Sequence, residues 1–186
     1  MKSKHQSYIR ALTEGGILIA MAEILSLIPL WKFPWGGSID LGMLPVILYC
    51  IRWGFGPGMV AATAHAFLQL LLGSKGEFIG WQSIIGDYMV AYMVLGVAGL
   101  FKGKIIPATL VSCGLRFVVH YVVGATLWAE YMPETFFGMT MTTPWVYSAL
   151  YNGCYMLPCT VLVLAAGLLI GQTPLKKYLT GDDLRK

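Results

Sequence analysis

The stretch RFVVHYVVGATLW, residues 116–128, sets Arg116, His120, Gly124 and Trp128 four apart in an otherwise apolar run. On a helix that spacing gathers all four on one slowly drifting face. The chemistry on offer is recognition: a guanidinium, an imidazole and an indole, with a glycine that leaves room for a planar group against the backbone. A second apolar run carries Asp87 beside Tyr88, and a third carries Tyr147 and Asn152. Asp87 supplies an anion, and indole and phenol faces attract cations. Asn152 and Arg116 add directional hydrogen bonds. The mixture suits a small, flat, cationic or nitrogen-rich aromatic ligand.

Such groups need elements that bring them together, and composition says in what solvent. The chain has 186 residues, 57% hydrophobic and only 12% charged, with a mean hydropathy of +0.68. A soluble domain has about a quarter of its residues charged. Lipid is therefore the expected solvent, and residues 1–186 are expected to form a single integral-membrane domain. Ionisable groups inside a bilayer cost about 2.5–3.5 kcal/mol on insertion scales, so they face the protein interior and mark function. Glu23, Asp40 and His65 belong to this class at lesser depth.

Apolar runs between Gly-, Pro- and charge-rich breakers predict an all-α bundle of six transmembrane helices, at 9–30, 39–53, 57–73, 80–101, 105–130 and 144–171. The second and third fall short of the roughly 20 residues a span needs. Pro45 predicts irregularity in the second, and fusing the two into one hairpin is the alternative parsing. Lys2, Lys4, Arg10, Arg52, Lys102, Lys104, Lys176, Lys177, Arg185 and Lys186 fall on one side of this arrangement, against Lys32 and Lys75 on the other. That asymmetry predicts two cytoplasmic termini. Asp87, His120, Trp128, Tyr147 and Asn152 then lie at comparable depth in the outer half, around a pocket open to the outside.

Other classes fit less well. Basic residues sit at the ends of apolar runs rather than in one patch, which argues against nucleic acid. Cys50, Cys113, Cys154 and Cys159 lack metal or redox spacing and read as small core residues. The first apolar run lacks a small-residue cleavage site and reads as a helix rather than a leader. GLFKGKI does not match a phosphate-binding loop, and no H-E-x-x-H set is present, so neither an ATPase nor an intramembrane metalloenzyme is expected. Gly16-x-x-x-Ala20 on the first helix permits close approach of another helix, outside the bundle or within it. Plainer readings stand beside these. Asp87 and Arg116 could be a structural ion pair, Trp31, Trp35 and Trp128 interfacial anchors, and Tyr147, Tyr151 and Tyr155 packing residues. A competing function is a stand-alone proton- or cation-coupled carrier, with Asp87, Arg116 and His120 as a proton relay.

The stretches PWGGSIDLGMLPVILYCIRWGFGPG, GDYMVAYMVLGVAGLFKGK, LRFVVHYVVGATLW and PWVYSALYNGCYMLP together resemble the thiamine-specific substrate-binding (S) components of energy-coupling-factor transporters. The resemblance covers nearly the whole chain. It implies a six-helix bundle with a thiamine site near the extracellular side and no cofactor. It also implies a partner complex of a transmembrane coupling protein and two ATPases, docked on the Gly16–Ala20 face. The family's ligand positions fall on Asp87 and Tyr88, Arg116, His120, Trp128, Tyr147, Asn152 and Trp35. The resemblance assigns Asp87 and Asn152, helped by Tyr147, to the aminopyrimidine edge. It assigns Trp128 and His120 to the ring faces, and Trp35 with its glycine-rich loop to a lid. Family members can carry a tryptophan in the third helix where this chain has His65.

Overall fold

The computed structural model describes residues 4–73 and 80–184. Six long helical elements follow one another: α1 (Lys4–Leu27), α2 (Met43–Trp53), α3 (Phe55–Leu68), α4 (Gly80–Leu100), α5 (Ile105–Thr126) and α6 (Pro144–Gly171). A short α7 (Lys176–Thr180) follows, and then a 3₁₀ turn over Asp182–Leu184. Two antiparallel hairpins interrupt the helices: β1 (Trp31–Lys32) with β2 (Ser38–Ile39), and β3 (Thr135–Phe136) with β4 (Met139–Thr140). Neither hairpin nor α7 is signalled by hydrophobic periodicity, because each element is too short to show a period.

The helix bounds follow local chemistry. Thr143 caps α6 by accepting a hydrogen bond from the Val146 amide at 3.3 Å, with Pro144 at the first helical position. Gly54, at φ +87°, makes the turn between α2 and α3. Pro45 lies in the first turn of α2, where its missing N–H would have had no partner, so the predicted irregularity is absent. Irregularity occurs elsewhere. The chain after α3 continues as a π-helical turn over Gln69–Gly73, and α4 is π-helical over Ile84–Val90 and a 3₁₀ helix over Val94–Leu100.

Interior and exterior are assigned as lipid would require. Ala22, Ala62, Ala66, Ala91, Ala98 and Ala108 are fully buried, while Leu110, Leu157, Val161 and Leu169 face outward. Without water outside, large apolar residues gain nothing by burial, and small ones let backbones approach. A Cβ on Gly99 would stand 2.6 Å from the Phe55 Cα, so α4 and the start of α3 touch backbone to backbone. Among the described residues, four helical stretches, Phe55–Leu72, Gly80–Leu100, Ile105–Thr126 and Pro144–Gly171, are long and apolar enough to cross a membrane; α2 is apolar but 11 residues long.

One end of the bundle, where Arg10 and Arg52 lie, is closed by ions. Arg52, almost wholly buried, bonds Glu14 of α1 at 2.6 Å and Asp183 at 2.7 Å. Asp183 also pairs with Arg10, and the Trp53 indole donates to Glu14 at 2.8 Å. Gly103, between α4 and α5, donates to the Ile51 carbonyl at 3.1 Å and lies against Thr180. Of the charges used for the sidedness argument, Lys2, Lys75, Arg185 and Lys186 lie outside the described residues.

Candidate functional site

At the opposite end, α1, the first hairpin and α2 to α6 enclose a cavity of about 880 Å³. That is within the roughly 300–1,000 Å³ of small-molecule sites. Its walls include Asp87, Tyr88, Arg116, His120, Trp128, Tyr147, Asn152 and Trp35. All eight ligand positions expected from the sequence therefore meet at one cavity.

Asp87 sits within the π-helical stretch of α4, where one wide turn changes which way the side chain faces. Its Oδ2 accepts the Trp128 indole N–H at 2.8 Å, and its Oδ1 lies 3.0 Å from His120 Nδ1. Trp128 and His120 stand eight residues apart along α5 and its C-terminal turn, so one carboxylate braces both rings. A carboxylate only accepts, so Nδ1 carries the proton; Nε2 of His120 is buried without a partner. The structural ion pair between Asp87 and Arg116 does not form. The Arg116 guanidinium instead lies over the Tyr92 ring, 4.1 Å from its centroid, with Nε unpartnered.

Gly124 lines the cavity and also leaves room for α6, because a Cβ there would collide with Ser148 Oγ and come 3.3 Å from Asn152 Nδ2. Asn152 exploits that approach: Nδ2 donates to the His120 carbonyl at 3.3 Å and the Ser148 carbonyl at 3.0 Å, and Oδ1 accepts from Tyr155 at 2.7 Å. Its carboxamide is engaged in joining α5 to α6.

Trp35 hangs from the loop between β1 and β2. It stacks on Phe33 at 5.2 Å and meets the edges of Phe136 and Phe137 of the second hairpin at 5.5 and 5.3 Å. Tyr151 donates to the Trp35 carbonyl at 3.2 Å. Gly37, at φ +76°, brings the loop so near α6 that a Cβ would stand 2.5 Å from Tyr155 Cδ1. The two hairpins thus make one aromatic cover. Phe136 and Phe137 were not anticipated, because FFG in a connecting loop reads only as a breaker. His65 was noticed without a role. It is fully buried, lines the cavity, and lies 2.6 Å from Glu23. A contact 42 residues apart in sequence leaves no local pattern.

A sequence profile described as Thiamine transporter protein matches residues 12–178. The chain belongs to that family. Among curated relatives, the thiamine transporter ThiT of Bacillus subtilis is 28% identical, with 81% of this chain and 84% of the relative covered. The thiamine transporter ThiT of Lacticaseibacillus paracasei is 24% identical, with 87% of each covered. A solved structure of ThiT from Listeria monocytogenes superposes with a TM-score of 0.78 at 23% identity, covering 92% of this chain and 98% of that one. This is the family to which the four sequence stretches pointed, and it makes the chain a transport protein. Family membership and the apolar helices together place it in the bacterial plasma membrane as a multi-pass protein. Gly16 and Ala20 are both exposed on α1, and a Cβ on Gly16 would meet nothing within 4 Å. Their face is turned away from the bundle.

Proposed function

We propose that this protein is the thiamine-binding subunit of an energy-coupling-factor importer. It takes thiamine from outside the cell and depends on a separate coupling protein and two ATPases for release inward. The observation that carries the reading is the Asp87 carboxylate, held by Trp128 and His120 in the wall of a cavity under an aromatic cover. Thiamine is a fixed cation with two flat rings. A carboxylate with indole and phenol faces in a low-dielectric cavity attracts such a cation more strongly than water does.

In this reading α1 to α6 all cross the bilayer, and the end closed by Arg52 and Asp183 faces the cytoplasm. Asp87 attracts the cationic ligand, and Trp128, His120 and Tyr147 give ring faces. Tyr88 and Arg116 complete the walls, Asn152 fixes α6 at the right distance, and Trp35 covers the mouth. The exposed Gly16–Ala20 face on α1 receives the coupling protein.

Titrating detergent-purified protein with thiamine should quench its tryptophan fluorescence saturably, since Trp128 and Trp35 both line the cavity. A quench produced by riboflavin or biotin, with none from thiamine, would remove this reading.

A further inference from the structure

We infer that His65, held by Glu23, is the residue that reads the hydroxyl group of the ligand. The inference rests on thiamine being that ligand, and it assigns a contact to a histidine outside the Asp87 cluster.

The geometry begins behind the cavity wall. Glu23 of α1 is 6% exposed, and both of its oxygens are taken. Oε1 lies 2.6 Å from His65 Nδ1, and Oε2 accepts from Gln69 Nε2 at 2.9 Å. With Glu23 as the carboxylate and the imidazole neutral, the ring proton lies on Nδ1, the nitrogen that faces Oε1. Nε2 is then a bare acceptor. It has no partner and is shielded from water, although His65 itself lines the cavity. A buried acceptor left unpaired is costly, and a single donor removes the cost.

The groups facing His65 limit what that donor can be. Tyr92 of α4 presents its ring edge to the imidazole, with centroids 5.2 Å apart. Over the same tyrosine lies the Arg116 guanidinium, whose Nε–H is a donor without an acceptor. An unpaired acceptor and an unpaired donor, both buried, flank Tyr92. A hydroxyl both donates and accepts, whereas an ether or an alkyl group cannot donate. The polar groups lining the cavity include Asp87 with His120 and Trp128, and His65 with Gln69. A ligand with a cationic ring system at the first and a hydroxyethyl arm at the second would satisfy both.

The test compares thiamine with its analogue bearing ethyl in place of hydroxyethyl. Both are titrated against native protein, His65→Leu, and the double variant Glu23→Gln/His65→Leu, which leaves no unpaired buried carboxylate should the single variant fold poorly. In native protein, loss of the ligand hydroxyl should weaken binding about tenfold. In the variants the two ligands should bind within about twofold of each other. A ratio that stays about tenfold without His65, or that is near one in native protein, overturns the assignment while leaving thiamine as ligand. If native protein binds neither compound, the functional reading fails and this one with it.

Discussion

The Trp128 indole and the Asp87 carboxylate are joined by a 2.8 Å hydrogen bond that ties the end of α5 to the middle of α4. The bond does two things at once. It holds a large aromatic face in a fixed orientation, and it keeps a negative charge in a wall that is otherwise mostly aromatic and apolar. His120 takes the other oxygen, so the carboxylate is satisfied before any ligand arrives. Binding then needs little rearrangement of the anion.

Asp87→Asn keeps the shape and one acceptor but removes the charge. Charge-assisted hydrogen bonds contribute about 1.5–3 kcal/mol. Thiamine affinity should fall by at least about tenfold in a fluorescence or calorimetric titration. An unchanged dissociation constant would take Asp87 out of the site.

Trp35→Ala removes contacts with Phe33, Phe136 and Phe137 together. Each aromatic pair contributes about 0.5–1.5 kcal/mol beyond its area. A cover acts on escape more than on arrival, so stopped-flow traces should show dissociation accelerated roughly tenfold with association little changed. A slower association with normal dissociation would show that the loop guides the ligand in.

Gly16→Leu should separate capture from transport. The position is open on α1 and remote from the cavity lining. Thiamine titration of the purified variant should match native protein. Uptake by cells or by proteoliposomes carrying the complete coupling module should be lost. Normal uptake would move the docking face elsewhere.

The closed end of the bundle predicts a pH dependence. Hydrogen bonds from Arg52 and then Arg10 hold the Asp183 carboxyl well below the usual carboxylate range. A lowered pKa in the folded state stabilises the protein above the unfolded value of about 3.9. The contribution is lost progressively as pH falls below that value toward the folded one. Asp183→Asn should therefore melt at a lower temperature than native protein at pH 7, and the gap should narrow as the pH is taken through 4 and below. A gap that is constant with pH would assign the effect to shape rather than to ionisation.

What could be read from the chain, and what could not, divides by distance along it. Arg116, His120 and Trp128 share one helix face, so a four-residue spacing was enough to align them. Asp87 could be added because its depth followed from helix direction and basic loops. Gly124 serves twice, lining the cavity and admitting Ser148, and a glycine in a sequence records only that something comes near. Asn152 is held by Ser148 and Tyr155 on its own helix and by the His120 carbonyl of α5, contacts of which its place in the sequence gives no sign. His65 with Glu23, and Arg52 with Asp183, are pairings 42 and 131 residues apart. Charge in an apolar segment announces that a partner exists but not which one.

The widened stretch at Ile84–Val90 has a consequence for how this helix can serve two masters. In an ordinary α-helix each residue advances about 100° around the axis, so every side chain is in rigid phase with every other. An extra residue absorbed in the wide turn breaks that phase between the two halves of α4. Gly96 and Gly99 can present a smooth seam to α3, while Asp87 and Tyr88 turn by an independent angle toward the cavity. Close packing in one half therefore places no restriction on where the carboxylate points in the other.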